Sequence, residues 1–198
     1  MNTKTPYLNV VYDKLTTGHF ICSNSIDDSE RQVFRNVEDN FDEYKAYFAQ
    51  IGLFLESGNG YFYFSRIDTA ANIRKKLLKF SEWIVIEDFL LTVDACFGVG
   101  YRFRISQFEN RISEDSECKR KLRDCYELKK KQKENCSDRE RLEKICDCLR
   151  SDGYIEEISA EDAEYQVTTA FDYLMKINEL INVKYEEENE NAGENGAD

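Results

Sequence analysis

Apolar positions recur at steps of three and four over much of the chain, as helices that bury one face require. Leu8, Val11 and Leu15 open the pattern behind Pro6, and Gly18 stands where a helix C-terminus favours glycine. His19, Phe20 and Ile21 then read as a short strand. Val33, Val37, Phe41, Tyr44, Phe48 and Ile51 predict one helix from about Ser29 to Gln50, with a charged opposite face. Leu53 to Glu56 and Tyr61 to Ser65 flank Ser57-Gly58-Asn59-Gly60, which predicts a β-hairpin.

A second helical region starts near Thr69 with Ile73, Leu77, Phe80 and Ile84. It continues through Trp83 to Phe97 with apolar residues on more than one side, so it is expected to be buried broadly, at a domain junction or a subunit interface. Gly98-Val99-Gly100 breaks it, Tyr101 to Ile105 alternates like a strand, and Ser106 to Ile112 forms a short helix. The next helix, about Ser116 to Lys133, packs through Cys118, Leu122, Cys125 and Tyr126. Ser137 with Glu140 makes a capping box ahead of Leu142, Ile145, Cys146 and Leu149, and Ser151-Asp152-Gly153 stops that helix. Tyr154 to Ile158 pairs with Glu164 to Thr168 as a second hairpin, and Phe171, Leu174, Ile177, Leu180 and Ile181 mark a last helix. Helices, a short strand, a last helix and a hairpin thus occur twice, which is the winged-helix plan in tandem. The fold expected is mainly α with small β-hairpins, an α+β protein with winged-helix domains over 1–68 and 69–183. Residues 184–198, with six acids from Glu186 onward and no base there, are expected to be a disordered acidic tail.

The length of 198 residues suffices for a core without disulfide or metal staples. A net charge of -12 disfavours nucleic acid and anionic membrane as partners of the whole surface, so any DNA contact must be a local patch. No apolar run is long enough to span a bilayer, and Met1 to Val10 lacks the apolar core of a secretory signal, so a cytoplasmic location is expected. In that compartment most of the seven cysteines, none in a C-x-x-C pair, read as free thiols acting as small apolar residues, and neither a disulfide framework nor a metal site is expected.

Residues for catalysis are scarce. His19 is the only histidine, and its place between Gly18 and Phe20 suits a local hydrogen bond and packing. Nucleotide, hydrolase and metalloprotease motifs are absent, so neither enzymatic activity nor a cofactor is expected. Glu87 and Asp88 point about 100° apart on a helix, which suits a cap or bridge better than acid-base work.

The basic run is more informative. Lys119 to Lys133 holds eight bases against Asp124 and Glu127, enough to hold phosphates without reading sequence. Lys129, Lys130, Lys131 and Lys133 are the expected DNA contacts, with Arg139 and Arg141 in support. The helix after them is neutral, with four bases and four acids from Ser137 to Arg150, and the following hairpin carries Glu156, Glu157, Glu161, Asp162 and Glu164 without a base. Such a helix and wing are poor readers of base edges, which disfavours the alternative of a free-standing winged-helix transcription regulator.

Leu15-Thr16-Thr17-Gly18-His19-Phe20-Ile21, the aromatic helix through Phe41, Tyr44, Tyr47 and Phe48, and Leu53-Phe54-Leu55-Glu56 with Gly60-Tyr61-Phe62-Tyr63-Phe64 resemble the MukE and MksE family. Leu142 to Leu149, Gly153-Tyr154-Ile155 and Tyr165 to Thr169 are similar to its second winged helix, though more loosely. The family comprises the tandem winged-helix "kite" subunits of bacterial SMC, or condensin-like, complexes, with relatives in plasmid defence. The resemblance implies a non-enzymatic, nucleoid-associated homodimer that binds a kleisin of the MukF or MksF kind. It further implies assembly with an SMC ATPase of the MukB or MksB kind, and non-sequence-specific DNA contact, in chromosome organisation and segregation or in plasmid defence. Phe41, Tyr44, Tyr61 and Tyr63 are the partner-binding residues expected in the N-terminal domain, aromatic side chains being enriched at such interfaces.

Overall fold

A computed structural model describes residues 4–66, 69–127 and 136–179. It is mainly helical, with two small antiparallel sheets. Helix α1 (Leu8–Thr16) ends at Gly18, whose φ of +88° suits glycine, and leads into strand β1 (Ile21–Cys22). Asp27 caps α2 (Asp28–Asp39) by accepting a 2.8 Å bond from the Ser29 N–H, with Asp28 and Glu30 in the first turn where the helix dipole favours acids.

The single helix expected from Ser29 to Gln50 is two. Asn40, at φ −128° and ψ 35°, ends α2 and begins α3 (Phe41–Ala49). Its Nδ2 donates to the Asn36 carbonyl at 2.9 Å, a local bond that competes with helix continuation. The apolar rhythm passes through the break because Val33 and Val37 on α2 and Tyr44 and Phe48 on α3 face one core. Strands β2 (Phe54–Ser57) and β3 (Tyr61–Ser65) form the expected hairpin, and β1 pairs with β3, giving the order β1-β3-β2.

Thr69 caps the 24-residue helix α4 (Ala70–Val93). Its second half buries Trp83, Ile86, Phe89, Leu90 and Val93, whereas residues 71–79 are all exposed. Broad burial, expected along the whole segment, therefore holds for its second half only. Strand β4 (Arg102–Arg104), α5 (Ile105–Glu114) and α6 (Ser116–Glu127) follow. The Ser137–Glu140 capping box starts α7 (Asp138–Ser151) as expected: Ser137 Oγ accepts from the Glu140 N–H at 3.2 Å, and Glu140 Oε2 accepts from the Ser137 N–H at 2.7 Å. Strands β5 (Ile155–Ser159) and β6 (Glu164–Val167) form the second hairpin, and β4 joins β6 to give the order β4-β6-β5. Each sheet thus pairs its first strand with its last. A final helical stretch covers 171–179.

One hydrophobic cluster is built on α1 to β3, with Val11, Val37, Tyr44 and Leu55 fully buried. The other runs from α4 to Leu174, and it also takes in Phe20, Cys22 and Tyr61 from the N-terminal sheet. Polar bonds lock that junction. Asn24 Oδ1 accepts from the Thr169 N–H at 2.8 Å, Asn24 Nδ2 donates to the Val167 carbonyl at 3.0 Å, and Gln166 Nε2 donates to the Asn24 carbonyl at 2.6 Å. Thr169 Oγ1 donates to the Gly60 carbonyl at 2.6 Å. Gly60 has φ +81°, and a Cβ there would stand 2.7 Å from Ser23 Oγ and 3.1 Å from Thr169 Cγ2, so the turn needs glycine twice over.

Because the Thr169 N–H would lose its partner and the Val167 carbonyl would keep only its 2.9 Å bond from the Gly100 N–H, Asn24→Ala is expected to lower unfolding free energy by about 1–3 kcal/mol. Urea denaturation of the variant beside the wild type measures it; an unchanged midpoint would show the clasp to be dispensable.

Candidate interaction surface

The four aromatic residues expected to bind a partner fall in three environments. Tyr44 has no exposed surface; its hydroxyl donates to Asn36 Oδ1 at 2.7 Å and accepts from the Tyr7 N–H at 3.2 Å. Tyr61 is 3% exposed, edge-on to Phe20 at 5.8 Å, and its ring fills the space beside Gly58. Both are core residues, a correction to their expected partner role: the hairpin and α3 turn them inward, and burial raises both hydroxyls above the ordinary tyrosine range. Phe41 and Tyr63 are half-buried. Phe41 stacks on Phe62 at 5.6 Å with Lys45 Nζ 5.6 Å from its ring centre, beside a shallow cleft of about 220 Å³ lined by Phe34, Glu38 and Gly60. Tyr63 packs on Tyr173 at 5.0 Å.

Tyr63 belongs to an aromatic seam that the sequence did not single out. Phe20 lies 5.7 Å from Tyr154 and 5.5 Å from Tyr173, and Trp83 meets Tyr154 edge-on at 5.2 Å. Burial raises the Tyr154 and Tyr173 hydroxyls. These rings come from a strand, a helix, a post-helical turn and the last helical stretch, so no local spacing links them.

Two open clefts flank the seam. One, of about 480 Å³, is lined by Lys14, His19, Ile26, Glu30, Arg150 and Glu157. The other, of about 210 Å³, is lined by Tyr63, Phe64, Lys79, Trp83, Asp152 and Tyr173. His19 stands between them with Nδ1 3.1 Å from Thr17 Oγ1 and Nε2 2.9 Å from the Ser151 carbonyl. The expected local bond is present, and the second one ties the α1–β1 turn to the end of α7.

Lys129, Lys130, Lys131 and Lys133 lie outside the described residues, as does the acidic tail. Arg139 and Arg141 lie on α7 with their charges engaged: Arg139 with Glu109 and Glu143 at 3.0 and 2.9 Å, Arg141 with Asp138 at 2.7 Å. Arg141 is also largely covered, with 17% of its side chain exposed. Neither presents an uncommitted guanidinium to a phosphate. The acidic second hairpin is partly neutralised as well. Glu156 accepts from Ser25 Oγ and the Ile26 N–H, Glu157 pairs with Arg150 and Glu164 with Arg104. The sequence reading also passed over a second basic cluster, on exposed α4, where residues 70–81 hold Arg74, Lys75, Lys76 and Lys79 without an acid. A charge count in a sliding window would have found it.

Four of the thiols, Cys22, Cys118, Cys125 and Cys146, are buried in packing positions, whereas Cys96 is exposed. Cys118 Sγ lies 3.7 Å from the Thr92 carbonyl, Cys125 Sγ lies 3.4 Å from that of Val85, and burial pushes the Cys146 thiol up to about 12. Among the described residues no group of three His, Cys, Asp or Glu side chains converges as metal ligands, and no helix is long and apolar enough to cross a membrane.

Glu87 and Asp88 part as their spacing requires. Asp88 reaches Lys121 at 2.7 Å, while Glu87, 7% exposed, accepts from Asn178 Nδ2 at 2.8 Å and so ties α4 to the last helical stretch. Burial raises the Glu87 carboxyl above its ordinary value of 4.5. The folded chain therefore holds this proton more tightly than the unfolded chain does, so stability falls as pH rises from that ordinary value through the raised one. Glu87→Gln keeps an acceptor for Asn178 and removes the charge. It is expected to melt above the wild type at pH 8 and level with it near pH 4; equal melting at both would show that the carboxylate carries no cost.

A search of the curated proteins returns no match to the chain. The family described as condensin complex protein MksE matches residues 6–177, a span that takes in both sheets, the aromatic seam and nearly all of the described helices. By that match the chain belongs to the MksE family of condensin complex proteins.

Proposed function

We propose that this protein is the kite subunit of a bacterial SMC complex. In this reading it is a non-enzymatic dimer that binds the kleisin, joins it to the SMC ATPase assembly and assists DNA engagement, in chromosome organisation or plasmid defence. Membership of the MksE family carries the proposal, since the family is one of condensin complex proteins. The fold supports it. We read the two sheets, of order β1-β3-β2 and β4-β6-β5 and each with its preceding helices, as two winged helices belonging to domains over 1–68 and 69–183, followed by a tail over 184–198. The half-buried Phe41 and Tyr63, each beside a cleft, remain the partner contacts we propose in the N-terminal domain. Engagement of the α7 arginines in ion pairs leaves Lys129, Lys130, Lys131 and Lys133 as the DNA contacts proposed.

Purification of the tagged chain from its own cells at moderate salt, with mass spectrometry of the co-purifying proteins, tests the reading. A long coiled-coil ATPase and a mid-sized kleisin are the expected companions. Recovery of the chain alone on specific promoter DNA would replace it with a transcription regulator. For the DNA contacts, changing Lys129, Lys130 and Lys131 together to Glu is expected to weaken duplex binding equally for all sequences, and to flatten the salt slope by about 0.9 per lost contact. An unchanged slope would remove the cluster from the DNA surface.

A further inference from the structure

The larger cleft beside His19, of about 480 Å³, runs along an open sheet edge. Strand β5 pairs with β6 alone, so its other side is the edge of the sheet. Ile155, Glu156 and Glu157 all line the cleft. Successive side chains of a strand point to opposite faces, so a cleft that touches all three lies beside the edge and not above one face. The ladder shows which backbone groups look into it. The Thr168 N–H donates to the Tyr154 carbonyl at 2.9 Å, and bonded and non-bonded positions alternate along an antiparallel pair. Tyr154 and Glu156 therefore turn their backbone groups toward β6, while Ile155 and Glu157 turn theirs toward the cleft. Val167, opposite Ile155, fits this phase: its N–H donates to the Tyr101 carbonyl and its carbonyl accepts from the Gly100 N–H, both on the β4 side. Among the described residues, neither Ile155 nor Glu157 makes a backbone bond to a turn or loop.

The open edge identifies what fits beside it. Phe20, Cys22 and Ile26 supply an apolar floor, of which Ile26 is 41% exposed. Charges at the rim are matched within the chain, Lys14 with Glu30 and Arg150 with Glu157, so they do not select a partner by sign. The backbone of β5 does select one. Donors and acceptors that recur at every second residue are met by another extended chain, whereas a helix has already used its own backbone groups internally. The ladder shifts between Glu157 and Ser159, so the regular part of this edge is short.

We propose that the β5 edge takes up an extended segment of a partner chain, which adds to the three-stranded sheet as a fourth strand hydrogen-bonded to the backbone of Ile155 and Glu157. The segment's residue opposite Glu156 shares the face of that residue. Glu156 accepts from Ser25 Oγ and the Ile26 N–H, so this face looks toward Ile26 and Phe20, and an apolar side chain fits there. Its two neighbours bond to Ile155 and Glu157 through their backbones and point to the other face, on the side of Arg150, where polar side chains fit. The inference rests on the kleisin-binding part of the function proposed above: the segment belongs to the kleisin, and the β5 edge gives it a site of contact distinct from Phe41 and Tyr63.

Fluorescence anisotropy of the full chain with overlapping synthetic peptides that cover the co-purifying kleisin tests it. One peptide region is expected to bind. N-methylation of one alternate set of its backbone nitrogens is expected to abolish binding, and methylation of the other set to spare it, as a strand bonded along one edge requires. In the chain, Glu157→Pro removes an N–H that the β6 ladder does not use. It is expected to bind the peptide about tenfold or more weakly than Glu157→Ala, which loses the same carboxylate and keeps the N–H. Circular dichroism of both variants separates lost binding from lost fold, and the methylated peptides decide the matter on the unaltered chain. A kleisin none of whose peptides bind, a bound peptide whose two methylated sets act alike, or a folded Glu157→Pro that binds as Glu157→Ala does overturns the β5 edge and leaves the kleisin on another surface. Absence of a kleisin among the co-purifying proteins overturns the reading beneath the inference, and the occupant with it.

Discussion

The packing of the N-terminal sheet on the C-terminal body organises the molecule. Phe20, Cys22 and Tyr61 leave their own sheet's core and join the cluster built on α4, α5, α6 and α7. Around them the Asn24 side chain satisfies a carbonyl and an N–H at the end of β6, and His19 and Glu156 add bonds on either flank. Apolar burial supplies the attraction, and the polar bonds fix the register, because each would leave a buried group unsatisfied if the two parts slid past one another. The clefts beside the seam and the placement of Tyr63 follow from this contact. So does the need for glycine at position 60, where a side chain would meet Ser23 and Thr169.

Helix α4 is where this frame meets the outside. Its second half is anchored by Trp83, Ile86, Phe89 and Leu90, and Glu87 bonds it to the last helical stretch. Its first half exposes Ile73, Leu77 and Leu78, and Lys79 there pairs with Asp152 at 2.7 Å. Many of the charges are used internally, Asp88 of α4 with Lys121 among them. On α7, Arg139, Arg141 and Arg150 hold neighbouring acids, and on the second hairpin Glu156, Glu157 and Glu164 are taken up by Ser25, Arg150 and Arg104.

Much of the element order is legible along the chain because helix and strand periods depend on local spacing. The Ser137–Glu140 box, the Gly58-Asn59 hairpin and the glycine stop at Gly153 are local devices, and each is where its residues predict it. The break at Asn40 escaped because the apolar rhythm runs through it while the backbone turns at one residue, Asn40, whose φ of −128° and ψ of 35° lie outside the helical range. Tyr44 and Tyr61 are expected as partner contacts because spacing says which face they share and nothing about what covers that face. The contacts of Tyr154, Tyr173 and Asn24 gave no signal, since their partners lie more than a hundred residues away or on separate elements.

The sequence alone determined that this is a helical protein with two hairpins, an acidic surface with concentrated bases, and a resemblance to one family, because composition and periodicity are properties of neighbours in the chain. Tertiary structure decided which aromatic residues are core and which line a cleft, which arginines are already paired, and which half of α4 stays in solvent. Those outcomes depend on distances between residues far apart in sequence, and only the folded chain sets them.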